Sequence, residues 1–255
     1  MSRDIWTRCA GPSRVAPLAV AAWRVVEAQH VVSTRRLVDT LEEQRLLEEI
    51  VDGVKPPAPA GAEFHGLHYL LFTPFRHPPL RHGSRFGSPA ERSLWYGAKR
   101  LETSLAEKAY YQFVFAAGTT AVLENLSCTW SAFQASLQAE RGVDLTAPAF
   151  ADFRAQISSP SSYAATQPLG AAMRAAGVEG FLFTSARCPL RGTAVGLFSP
   201  AFASRNPRPP QTWRCGLVGD RCEILRLNTA GNTVLVFRRS DFEVGGVLPQ
   251  PGAGA

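Results

Sequence analysis

The chain has 255 residues, 45% hydrophobic and 19% charged, a length and balance that suit a globular protein needing neither disulfides nor metals to hold its core. Its longest apolar run, Val15–Trp23, is nine residues and ends at Arg24, well short of the roughly 18 that span a bilayer. The net charge of +6 rests almost wholly on arginines dispersed along the chain, with only Lys55, Lys99 and Lys108 as lysines, which argues against a nucleic-acid-binding tract.

Met1 to Pro17 carries Arg3, Arg8 and Arg14 ahead of an apolar patch. This imitates a signal peptide but lacks a small-residue cleavage site, so the expectation is a soluble, cytoplasmic protein with no membrane partner. Cys9, Cys128, Cys188, Cys215 and Cys222 are odd in number and irregularly spaced, as expected for reduced thiols. From Leu18 to Val54 the positions of Trp23, Val26, Leu37, Val38, Leu41, Leu46, Leu47 and Ile50 predict helices, with a break at Ser33-Thr34 and a stop at Gly53. Lys55–Gly61, with Pro56, Pro57 and Pro59, reads as a linker, because successive prolines cannot continue a helix.

Leu67–Thr73, an apolar and aromatic run closed by Pro74, predicts a strand. Ser93–Ala98 predicts a short strand and Leu101–Ala117 a helix. Strands are expected at Thr120–Thr129, Glu179–Ser185, Thr193–Phe198 and Thr233–Arg238, and a helix at Thr166–Gly177 closed by its glycine. The fold class is α+β, because strands and helices do not alternate regularly. The expected domains are a helical extension and linker (1–60), a catalytic domain (61–247) and a disordered tail (248–255).

Arg85, Tyr96 and Glu107 stand eleven positions apart in one stretch. Arg85 sits in a Gly-Ser-Arg-Phe-Gly turn, where its guanidinium can clamp a phosphate. Tyr96 lies on a short strand, where its ring can stack and its hydroxyl donate. Glu107 falls about two turns into the following helix, beside its apolar stripe. Taken singly they also read as a surface arginine, a core tyrosine and a solvated acid. His65, His68, His77 and His82 cluster nearby, but no carboxylate or cysteine completes a metal shell, so no metal is expected.

Gly83-Ser84-Arg85-Phe86, Tyr96-Gly97-Ala98, Glu102-Thr103-Ser104-Leu105-Ala106-Glu107, Thr166-Gln167 and a strand ending Thr184-Ser185-Ala186-Arg187 together resemble the central motifs of the RES domain family. The resemblance covers residues from about 64 to 240. It implies a fold similar to ADP-ribosyltransferases, with a mixed-sheet core to which the N-terminal helices are an extension. It also implies cleavage of NAD+ at the nicotinamide–ribose bond, by phosphorolysis or hydrolysis, as the toxin of a toxin–antitoxin pair. Carried over residue by residue, Glu107, Arg85, Tyr96 and Ser185 are the implied catalytic residues. Arg76, Arg85, Tyr96 and Ser185 are the implied NAD+-binding residues, Arg76 matching an arginine after the family's first strand. NAD+ is the substrate, with inorganic phosphate as co-substrate and no further cofactor. The implied partner is a helix-turn-helix antitoxin protein, and a homodimer is left open. Three alternatives stand beside this reading: ADP-ribosyl transfer to a protein, a ribonuclease using His77 or His82, and a non-catalytic interaction protein working through residues 18 to 54.

Overall fold

The computed structural model describes residues 4–28, 40–53, 56–119, 126–227 and 233–250. In chain order they form α1 (Ile5–Arg8), β1 (Ala16–Glu27), α2 (Leu41–Gly53), α3 (Tyr69–Arg76), β2 (Trp95–Ala98), α4 (Leu101–Ala117) and β3 (Leu126–Asp144). There follow α5 (Arg154–Ile157), α6 (Thr166–Ala175), β4 (Gly180–Thr184), β5 (Thr193–Leu197), β6 (Gln211–Val218), β7 (Arg221–Arg226) and β8 (Val234–Arg238). The fold is mixed α+β around one eight-stranded sheet in the order β1-β2-β5-β4-β3-β6-β7-β8. None of its described helices is long and apolar enough to cross a membrane.

β3 organises the sheet. Its residues 130–142 pair with β1, 126–132 with β6 and 142–144 with β4. Because β1 also meets β2 through Trp23 and Ala98, the first five strands of the order close into a ring and β6, β7 and β8 extend from it. The β3–β4 pairing is parallel, and the crossover it requires carries α5 and α6. Trp95, Phe133, Leu71 and Phe75 share one core cluster; Phe86, Phe181, Phe183 and Met173 form a second, and Trp130, Tyr110, Phe113 and Trp213 a third.

Several expectations are corrected. Residues 18–27 are strand, not helix, and lie within the sheet rather than outside it: eleven registered pairs between β1 and β3 outweigh the local preference of an alanine-rich segment. Leu41–Gly53 is helical as expected, while 29–39 and 54–55 lie outside the described residues. The predicted strand at Leu67–Thr73 is instead α3. The His68 side chain caps it by accepting from the Leu70 amide at 3.2 Å, and Leu71 and Phe75 bury one face four residues apart. Pro74 lies inside this helix instead of ending a strand. The tail is also corrected at its start. Leu248 is buried against the Tyr110 cluster, and the Pro249 carbonyl accepts from the Tyr110 hydroxyl; 251–255 lie outside the described residues.

The expected strand at Thr120–Thr129 is described from Leu126 and runs on to Asp144, and β6 and β7 had not been expected. β2, β4, β5, β8 and α4 match their expectations. So does α6, which ends in Gly177 at φ +71° with the Val178 amide reaching back to the Met173 carbonyl.

Candidate active site

A cavity of about 400 Å³ opens between β1, the Ser84-Arg85 turn, β2 and α4, a size within the roughly 300–1,000 Å³ of small-molecule sites. From α4 it receives Ser104, Glu107, Lys108 and Tyr111, the i, i+3, i+4, i+7 set that one helix face presents. Arg24 and Glu27 come from β1, Tyr96 from β2, and Tyr163, Phe183 and Arg187 from later segments. The ladder thus converges: Arg85, Tyr96 and Glu107 line one cavity.

Arg85 is held rather than free. It is 8% exposed, its Nη1 donates to the carbonyls of Ser159 at 2.8 Å and Ile157 at 3.3 Å, and its guanidinium lies 5.1 Å from the Tyr163 ring centre. The turn is pinned from two sides. Gly83, at φ +69°, leaves no room for a side chain against the Gly87 carbonyl, and the Gln167 amide donates to the carbonyls of His82 and Ser84. The Thr166-Gln167 motif therefore serves the arginine turn some 80 residues upstream.

Tyr96 clasps the same turn. Its hydroxyl accepts from the Phe86 amide at 3.1 Å and pairs with Ser84 Oγ at 3.0 Å, so the polar atom expected to meet a ligand is engaged with protein. Burial pushes the phenol up to about 12, outweighing these hydrogen bonds, and keeps it protonated at neutral pH. Tyr96→Phe removes the clasp while keeping the ring. The Phe86 amide is left without its partner, which is expected to cost about 1–3 kcal/mol in urea unfolding; an unchanged midpoint would show that the turn does not need it.

Glu107 is fixed by Ser185, whose hydroxyl donates to Glu107 Oε1 and accepts from the amides of Arg187 at 3.1 Å and Cys188 at 3.0 Å. Ser185 is fully buried and does not line the cavity. It meets the carboxylate, not the open space. Arg76 is not brought to the cavity. It ends α3, and its guanidinium donates to the Pro56 carbonyl. His77 and His82 do not line it either.

Among the contributors not singled out from sequence are Arg24, Lys108, Tyr163 and Arg187. Arg24 donates to the Tyr96 carbonyl, and its burial lowers it to about 10, still cationic at neutral pH. Lys108 pairs with Glu27 at 3.0 Å. Arg187 is 3% exposed with its guanidinium carbon 3.7 Å from the Tyr110 ring centre. Among the described residues no three His, Cys, Asp or Glu side chains are grouped to hold a metal.

An arginine turn clasped by a strand tyrosine, and a helix glutamate tied to the serine after a strand, are joined here in one cavity. The RES domain family model matches residues 59–217. The chain belongs to the RES domain family. No curated protein matches it. The RES match takes in Arg85, Tyr96, Glu107, Ser185 and Arg187, and begins after β1, whose Arg24 lines the same cavity.

Proposed function

We propose that this RES domain cleaves NAD+ at the nicotinamide–ribose bond, with inorganic phosphate as the favoured acceptor and water as the alternative. The observation that carries the reading is the convergence of a serine-held glutamate, three arginines and three tyrosines on one cavity. In the reaction the C–N bond breaks and its electron pair returns to the pyridine nitrogen, so nicotinamide leaves neutral. Positive charge then develops at the ribose anomeric carbon. Glu107, held still by Ser185, stabilises that charge without having to reorganise. Ser185 is a positioning residue in this scheme. A phosphate oxygen forms the new bond to the anomeric carbon, giving ADP-ribose 1-phosphate and nicotinamide. The arginines balance the substrate's phosphates and orient them, and the exposed ring of Tyr111 offers a stacking surface for a base or nicotinamide ring.

The same reading includes kinship with the ADP-ribosyltransferase fold, action on the cytoplasmic NAD+ pool as a toxin, and a helix-turn-helix antitoxin as partner. These extend the family membership and the mixed α+β sheet, and each stands or falls separately.

The deciding experiment incubates purified protein with NAD+, with and without phosphate, and measures nicotinamide by chromatography. Release that rises with phosphate is the expected result and identifies phosphorolysis. Release without phosphate dependence identifies hydrolysis or, if the protein fraction becomes labelled, transfer. No release under any condition defeats the proposal.

A further inference from the structure

We propose that Arg187 is the oxyanion anchor of the cavity, binding a phosphate group through both terminal nitrogens of its guanidinium. Its part in catalysis rests on the NAD+-cleaving reading; its binding of phosphate does not. Arg187 lines the cavity at 3% exposure, and neither Nη1 nor Nη2 has a hydrogen-bond partner. None of the ion pairs among the described residues includes it. Burying a guanidinium without an acceptor is costly, and folded proteins retain such a charge where something pairs with it.

The other cations of the cavity are more fully engaged. Arg85 donates to two backbone carbonyls, Lys108 pairs with Glu27, and Arg24 donates to the Tyr96 carbonyl. Among these cavity cations, all of them described residues, Arg187 alone has both terminal nitrogens buried and unpartnered, while Arg24 lacks a partner at Nε but donates through Nη1. Its mounting suits the task. The guanidinium stacks on Tyr110 at 3.7 Å, and the Tyr110 hydroxyl is fixed by the Pro249 carbonyl. Stacking occupies the flat face and leaves the planar N–H edge for a bidentate acceptor. A lysine, as a point charge, offers no such edge.

The position also solves an electrostatic problem. The Arg187 amide donates to Ser185 Oγ, which donates to Glu107, so anchor and carboxylate are built on one short loop. A phosphate anion brought towards a carboxylate is repelled unless a fixed cation holds it. Two sources supply the same chemistry: free inorganic phosphate, and the pyrophosphate of the dinucleotide.

Isothermal titration calorimetry of the full chain with inorganic phosphate and, separately, ADP-ribose tests the proposal. Arg187→Gln is expected to weaken one or both by roughly ten- to a hundred-fold, the scale of hydrogen bonds to a charged group. Arg187→Lys should recover only part of the loss. Loss for phosphate alone identifies an acceptor subsite, loss for ADP-ribose alone the donor's pyrophosphate, and loss for both a shared anchor. Unchanged affinities for both, or no binding of either probe to the wild type, overturn the proposal. If Arg187→Gln does not fold, wild-type crystals soaked in tungstate decide: an anomalous peak within hydrogen-bonding reach of the Arg187 guanidinium supports the anchor, and its absence there overturns it. Nicotinamide release assayed in parallel separates the two readings. Binding lost without any release activity keeps the anchor and defeats the NAD+ reaction; release with unchanged binding does the reverse.

Discussion

Glu107→Gln is expected to lower the rate of nicotinamide release by about 10²–10³-fold, the scale seen when one preorganised stabilising group is removed. The substitution conserves volume and leaves an oxygen able to accept from Ser185, so the hydrogen bond at Glu107 Oε1 survives while the charge is lost. The loss should therefore fall on kcat, with KM for NAD+ changed by far less, because the carboxylate acts on charge that exists only as the bond breaks. Ser185→Ala should reproduce part of the fall by freeing the carboxylate to move. Glu102, five residues earlier on α4, provides the contrast: it is exposed and lies 3.4 Å from Arg100, and Glu102→Gln should leave the rate unchanged. A steady-state series on the three variants, with thermal melts to confirm folding, checks this. Glu107→Gln with wild-type kcat would remove the carboxylate from the mechanism.

What the sequence revealed, and what it hid, follows from where the decisive interactions lie. α4 was legible end to end because its apolar positions are local and periodic, and the ladder was legible because its residues sit within 23 positions on a turn, a strand and that helix. β1 was not. Its alanine-rich run satisfies a helical pattern, and only pairing with β3, more than 100 residues away, makes it a strand. α3 is hidden for the opposite reason: a short apolar run has no clear period, and the deciding signal is the histidine cap at its start. The later half of β3 does carry a strand signal in its sequence. Phe133, Ala135, Leu137 and Ala139 are buried while Gln134, Ser136, Gln138 and Glu140 alternate with them towards solvent.

In the site, Arg76 matches the family's arginine only if the segment before it is a strand. When that segment proves helical, the arginine ends on the Pro56 carbonyl instead. Arg187 was in view inside the Ser185 motif, but its meaning lies in what its guanidinium lacks, and an unpartnered buried charge is visible only in three dimensions.

Gly170→Ala reverses a common rule and connects the fold to the site. In a helix interior alanine is ordinarily preferred to glycine by about 1 kcal/mol, so on local grounds this change in α6 should stabilise. A Cβ at position 170, however, would lie 2.0 Å from the Phe86 carbonyl oxygen and 2.7 Å from its carbon. These are backbone atoms of the turn that carries Arg85, not the end of a flexible side chain, so helix and turn must separate. Overpacking of this kind costs about 1–3 kcal/mol, sometimes more, and for a chain of this size the melting temperature should fall by roughly 3–10 °C. The displacement also pulls Phe86 away from the Tyr96 hydroxyl and shifts Arg85, so KM for NAD+ should rise in protein that remains folded. Ala171→Gly, one residue on and exposed, should lose only the helix-propensity difference, with no change in KM. A Gly170→Ala protein that melts higher than wild type would mean that α6 and the arginine turn are not in close contact, and with that the structural reason for the Thr166-Gln167 motif would go.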